Sequence, residues 1–168
     1  MASLDIGCGD DPRGDVCVDH IAWPGVTHVV NVGFEPLPFE DSSFDTVYAW
    51  DFFEHLPKGV HYREDGKWHI HHPHIMVFNE AWRVLKNGGI FDTFTPILEP
   101  AVNGRLFHFS TWNENQFDQF TELGTDYKRD HMRRNGYLAK FEIVEKYPEN
   151  FGIHVRFRAI KDALMLYA

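Results

Sequence analysis

The chain has 168 residues, 43% of them hydrophobic and 15% aromatic, with 16 basic against 25 acidic side chains and a formal charge of −9. That length and apolar content predict one domain over residues 1–168 with a substantial core, and no apolar run is long enough for a membrane-spanning helix. The acidic balance disfavours a nucleic-acid surface, which needs a positive field; two cysteines and no secretory leader point to the cytoplasm, with Cys8 and Cys17 as small buried thiols.

Leu4 to Asp19 reads as a short buried strand, a Gly7-Cys8-Gly9 turn and a second strand ending on a carboxylate. Glycines let a ligand approach the main chain closely, and a carboxylate at a strand's C-terminal end can accept from both hydroxyls of a ribose. Pro12 and Gly14 break any helix between the two strands. An extended loop is therefore expected where parallel neighbours normally need a crossover helix. Thr27–Val32 and Phe44–Trp50 are expected as the third and fourth strands.

Lys58 to His74 is polar and histidine-rich and reads as a loop that closes over the strand ends. Its His69-Ile70-His71-His72-Pro73-His74 run suits adventitious metal more than a built site, so no metal is assigned. Apolar residues at helical spacing predict a helix over 75–86, stopped by Asn87-Gly88-Gly89, and a fifth strand over 90–95. A helix over 113–123 capped by Thr111 or Asn113, then an antiparallel strand pair over 141–147 and 153–160, completes the chain. The basic cluster at 128–134 reads as a solvated face. The fold class is α/β, a Rossmann-like, mostly parallel sheet with an antiparallel C-terminal strand pair and helices on both faces.

Three segments in series carry a resemblance. Leu4-Asp5-Ile6-Gly7-Cys8-Gly9 with Val18-Asp19, then Leu37-Pro38-Phe39-Glu40-Asp41-Ser42-Ser43-Phe44-Asp45 with Glu54-His55-Leu56, then Asn79-Glu80 and Arg83-Val84-Leu85-Lys86-Asn87-Gly88-Gly89 resemble class I S-adenosylmethionine-dependent methyltransferases. The short step from Gly9 to Asp19 is similar to a subgroup without the usual first crossover helix. The resemblance implies S-adenosyl-L-methionine as cofactor, held by Asp5, Gly7, Cys8, Gly9, Asp19, His20, Asn31, Leu37, Asp51 and Phe52. The family's adenine-binding acid is absent after the third strand, and Asn31 is expected in its place.

His55 is expected either on the wall of the acceptor pocket or as a cap of its short helix. His108 is expected beside the acceptor or simply packed between aromatics. Imidazole has a pKa suited to a general base. The expected reaction is methyl transfer to an O or N nucleophile of a small-molecule acceptor, in a chain that forms a homodimer to cover the cofactor. Two rivals are a non-catalytic S-adenosylmethionine-binding module, acting as sensor or partner subunit, and a histidine-loop metalloprotein.

Overall fold

The computed structural model describes residues 1–97, 105–121 and 126–161. A seven-stranded sheet is built from β1 (Ser3–Ile6), β2 (Val16–Asp19), β3 (His28–Val29), β4 (Phe44–Trp50), β7 (Leu85–Pro96), β8 (Phe141–Glu149) and β9 (Gly152–Ala159). Their order is β3-β2-β1-β4-β7-β9-β8. β1 to β4 and β7 run parallel, and β9 is antiparallel to both its neighbours. The sheet class and the C-terminal strand pair are as the sequence predicts.

The chain leaves β1 toward β2 on one side and reaches β4 on the other. Such a reversal opens a crevice at the C-terminal ends of the strands. Residues 7–15 cross from β1 to β2 without a helix. This is possible because the return hugs β1: a Cβ at Gly14 would lie 2.8 Å from the Asp5 backbone nitrogen.

The helix α1 (Pro73–Val84) starts with proline at its first turn, where the missing N–H costs nothing. It ends two residues earlier than expected, and β7 starts at once. The Asn87-Gly88-Gly89 stretch bulges out of β7 instead of capping the helix, with the register slipping between Phe44 and Thr46. Residues 114–120 form a 3-10 helix rather than an α-helix, capped by Asn113 through a reciprocal bond with Gln116. The rest of that predicted helix, 122–123, lies outside the described residues. The basic cluster forms part of α2 (Asp126–Arg134), in which only Met132 is buried.

Phe78 of α1 packs on Phe91 and Phe157 of the sheet at 5.3 Å each, and stacks on Phe120 at 3.7 Å. Phe117, Phe120 and Met132 join the same core. Strand alternation sends Asp92, His154 and Arg156 to the opposite face, since Asp92 pairs with Arg156 next to the Phe91–Phe157 pair. Helices were expected on both faces. Among the described residues they pack on one, and the other face carries a polar network: Asp92 accepts from Trp50 Nε1 (2.8 Å), His154 Nε2 (2.6 Å) and Arg156 Nε (2.7 Å).

Two further expectations are corrected. Residues 58–74 are not a loop: β5 (Val60–Glu64) and β6 (Lys67–His71) pair antiparallel in a separate hairpin. Its turn residues Asp65 (φ 48°) and Gly66 (φ 76°) both have the positive φ that a two-residue hairpin turn requires. Cys8 and Cys17 are not free thiols but form a disulfide across the crossover.

His74, at the start of α1, is buried, bonds the Phe53 carbonyl through Nε2 at 3.1 Å, and has its pKa pushed down to about 4, chiefly by desolvation. Between that value and the ordinary 6.5 the unfolded chain binds a proton that the folded one refuses. This stability is complete above pH 6.5 and falls as pH drops toward 4, by roughly 3 kcal/mol. Urea unfolding at pH 7.5 and 4.5 should show the loss, and His74→Gln should show a smaller one. An equal loss in both proteins would place its source elsewhere.

Candidate active site

The crevice at the ends of β1, β2 and β4 holds a cavity of about 430 Å³. That is within the range that encloses small ligands. Gly7, Asp19, His20, Asn31, Asp51, Phe52 and His55 line it, all named from the sequence. Ile21, Trp23, Val30, Val32, Phe34 and Leu56 also line it and were missed. Leu56 belonged to the Glu54-His55-Leu56 motif; the signal of the others was position, just beyond β2 and β3.

Gly7 has φ +68°, and a Cβ there would strike the Phe52 ring. The aromatic residue after β4 thus closes onto the glycine turn. Asp19 holds the turn from the other side: Oδ2 accepts from the Gly9 N–H (3.1 Å) and Oδ1 from the Ile21 N–H (2.9 Å). A carboxylate oxygen has two lone-pair directions, so Oδ2 keeps one for a ligand hydroxyl. His20 Nδ1 lies 3.0 Å from Asp19 Oδ1. Asn31 donates its backbone N–H to Glu35 Oε2 (2.8 Å), which brings an acid to this turn four residues after the place where one was sought.

The remaining expected cofactor residues stand behind this surface. Asp5 is buried and accepts from the Arg13 N–H at 2.7 Å, with its pKa raised chiefly by desolvation. Cys8 is tied to Cys17, and Gly9 donates to Asp19. Leu37 is buried in the core, donating its N–H to Glu80 Oε2 (2.7 Å). Leu37, Cys8, Gly9 and Asp5 are absent from the cavity lining, so they support the site from behind.

At the far end of the cavity the chain turns through Asp51, whose φ of +48° is uncommon for a non-glycine, into a 3-10 turn at Phe53–His55. Desolvation raises the pKa of Asp51. Glu54 is buried, Oε2 has no hydrogen-bond partner, and desolvation pushes its pKa up to about 8. His55 lies in the cavity wall, with Nδ1 3.1 Å from the Phe107 carbonyl. That bond makes Nδ1 the donor and leaves the lone pair on Nε2. His108 packs edge-on to His55 at 4.9 Å. The structure therefore unites the two histidines singled out in the sequence.

The histidine run has other partners. His71 Nε2 bonds the Gly33 carbonyl (2.5 Å), His72 Nδ1 the Lys58 carbonyl (3.2 Å) and His74 the Phe53 carbonyl. A second cavity of about 250 Å³ opens between His72, His74, Trp112 and His131, away from Asp19.

Residues 15–92 match the model of a methyltransferase domain family. Among solved structures, a SAM-dependent methyltransferase from Methanosarcina mazei superposes with TM-score 0.57 at 14% identity, over 95% of this chain and 92% of that one. A SAM-dependent methyltransferase from Aquifex aeolicus gives 0.57 at 13% identity, over 95% and 82%. Phosphoethanolamine N-methyltransferase 1 of Haemonchus contortus, in complex with phosphoethanolamine and S-adenosylhomocysteine, gives 0.56 at 14% identity, over 96% of this chain and 39% of that one. No curated protein sequence matches significantly.

Residues 15–92 are thus similar to a methyltransferase domain, and the fold around them is that of the solved S-adenosylmethionine-dependent methyltransferases. The domain match and this fold point to S-adenosylmethionine as the cofactor. The cavity's volume and the spare acceptor position of Asp19 Oδ2 fit that molecule.

Asp19→Ala should raise the dissociation constant for S-adenosylmethionine by about 10–150-fold, the equivalent of roughly 1.5–3 kcal/mol for hydrogen bonds to a charged group. Calorimetric titration measures this, with thermal unfolding as a check on the fold. Unchanged affinity in a folded variant would remove the ribose role. Gly7→Val is a poorer probe, because it collides with Phe52 before any ligand arrives.

Proposed function

We propose that the protein, acting as a single domain over residues 1–168, methylates an O or N nucleophile of a small-molecule acceptor, with His55 and His108 as the groups that activate it. The observation that carries this reading is His55 itself, in the cavity wall beyond Phe52, with Nδ1 bonded to the Phe107 carbonyl and His108 beside it. In the bound cofactor the methyl group is carried by a sulfonium, ready for displacement.

Gly7 and Asp19 would hold part of that ligand, and Asp51, Phe52 and His55 line the same cavity, where the acceptor would meet it. Displacement at a sulfonium needs chiefly an in-line approach, so holding the two reactants supplies much of the rate. The aromatic ring of Phe52, in the cavity lining, would stabilise the cation. An acceptor hydroxyl or ammonium must shed a proton, and His55 Nε2 is placed to receive it or to share that work with His108.

No described helix is long and apolar enough to cross a membrane. We place the protein in the cytoplasm, where Cys8–Cys17 would be open to reduction.

The experiment is a screen of small hydroxyl and amine metabolites for release of S-adenosylhomocysteine, followed by His55→Ala on the best acceptor. Cofactor affinity should stay within about twofold, while turnover falls by roughly 10²–10⁴-fold. Wild-type turnover in that variant would move the role to His108. Tight cofactor binding with no turnover across the screen would favour a non-catalytic binding module.

A further inference from the structure

We propose that Glu54, His55 and His108 bind one divalent first-row transition-metal ion at the acceptor end of the cofactor cavity, and that the acceptor is therefore a hydroxyl compound that coordinates it. The proposal rests on the methyl-transfer reading above and specifies how the acceptor is activated.

Each of the three residues offers one ligand atom, and these atoms all lie within 4.8 Å of one another. Ligands at about 2.0–2.2 Å from a common ion stand roughly 3–4 Å apart. Small side-chain rotations therefore close the set, and His55, with a side chain 44% exposed, has room to turn.

Two observations point to a cation rather than a packing accident. Glu54 is only 1% exposed, yet Oε2 has no hydrogen-bond partner, while Oε1 lies 3.9 Å from His55 Nε2. A buried carboxyl with an orphaned oxygen is costly, and a leucine there would not carry that cost. The second observation is the Nδ1 bond of His55 to the Phe107 carbonyl. Metal-binding imidazoles are usually oriented by such a bond to a backbone carbonyl, which turns the lone pair of the other nitrogen to the ion. Here that nitrogen faces Glu54.

Two imidazoles and one carboxylate suit manganese, iron, cobalt, nickel or zinc better than magnesium or calcium, which favour all-oxygen sets. Three protein ligands leave positions open for the acceptor. A coordinated hydroxyl loses its proton near neutral pH, and the proton passes to solvent. The alkoxide oxygen then forms a bond to the methyl carbon as the carbon–sulfur bond breaks. Those electrons stay on sulfur, giving a methyl ether and a neutral thioether. An amine gains nothing comparable, because it must keep its lone pair for the attack.

The test uses the untagged, full-length protein after exhaustive dialysis against chelator, titrated calorimetrically with manganese(II) chloride and with zinc chloride. One site per chain is expected, with His108→Ala and Glu54→Gln each lowering affinity by about tenfold or more. S-adenosylmethionine titration of the same samples reports the fold and the cofactor site, and should be unchanged. Because His108 sits on a surface loop, its variant remains informative even if Glu54→Gln fails to fold. His69→Ala with His71→Ala should leave the site intact.

No stoichiometric binding of either metal, or binding that survives His108→Ala in full, would overturn the proposal. So would full transfer to a hydroxyl acceptor by chelator-treated enzyme, which would return His55 to the part of direct base. If metal binds as expected but S-adenosylmethionine does not, the methyl-transfer reading falls while the metal site stands.

Discussion

The constraint on which the molecule depends is the passage from β1 to β2 without a helix. Nine residues must return the chain to a parallel neighbour, and a helix is no longer there to satisfy their backbone. Carboxylates take over. Asp5, at the centre of β1, accepts from Arg13 N–H; Asp15 accepts from the Ser3 N–H (3.0 Å) and hydroxyl (2.7 Å); Asp19 accepts from Gly9. The Ser3 bonds hold the Asp15 carboxyl below the usual range, the sign expected for a group whose charged form is being used. Asp5 pays for its place with a raised pKa, since burial there outweighs its hydrogen bond. Gly9, fixed in this way, supports the turn from behind the cavity lining.

Among the described residues, the second sheet face is closed by polar side chains. Asp92 gathers Trp50, His154 and Arg156, and Tyr147 bonds His154 Nδ1 at 2.6 Å. Arg13, from the crossover itself, lies 4.5 Å above the Trp50 ring. The loop that follows the glycine turn is thus fastened across the face to β4, and through Asp92 to β7 and β9. A buried network of this kind is stable only when every member is satisfied, and it specifies one register where a greasy face could slip.

The sequence was legible where a motif is one physical unit. The Leu37–Asp41 stretch and the Glu80–Arg83 pair were recognised as separate motifs, and the structure shows why they travel together. Arg83 donates to the carbonyls of Leu37 (2.9 Å) and Phe39 (2.7 Å) and to Asp41 (2.9 Å), while both carboxylate oxygens of Glu80 grip its guanidinium. What was illegible had no buried side to reveal it. The β5–β6 hairpin is exposed along both strands, so no alternation marked them, and only Asp65-Gly66 announced the turn. Glu54 was read as part of a motif; its burial and its nearness to His108 depend on a loop fifty residues away.

That loop is placed by backbone, not by its own apolar residues. Phe109 and Ser110 donate their N–H groups to the Glu54 carbonyl (2.8 and 3.1 Å), and Ser110 Oγ donates to the Phe53 carbonyl (2.9 Å). Trp112 Nε1 then bonds Ser110 Oγ at 3.0 Å and packs its ring 5.3 Å from Phe53. Phe53 is fully buried among Phe78, Phe91 and Phe117, so the turn that carries Glu54 and His55 stands on the rigid centre of the core. Leu106, Phe107 and Phe109 meanwhile remain exposed at the rim. This end of the cavity therefore joins a fixed floor to an apolar, accessible edge. This division suits a site in which the reacting groups must not move while the edge adapts to the molecule that enters.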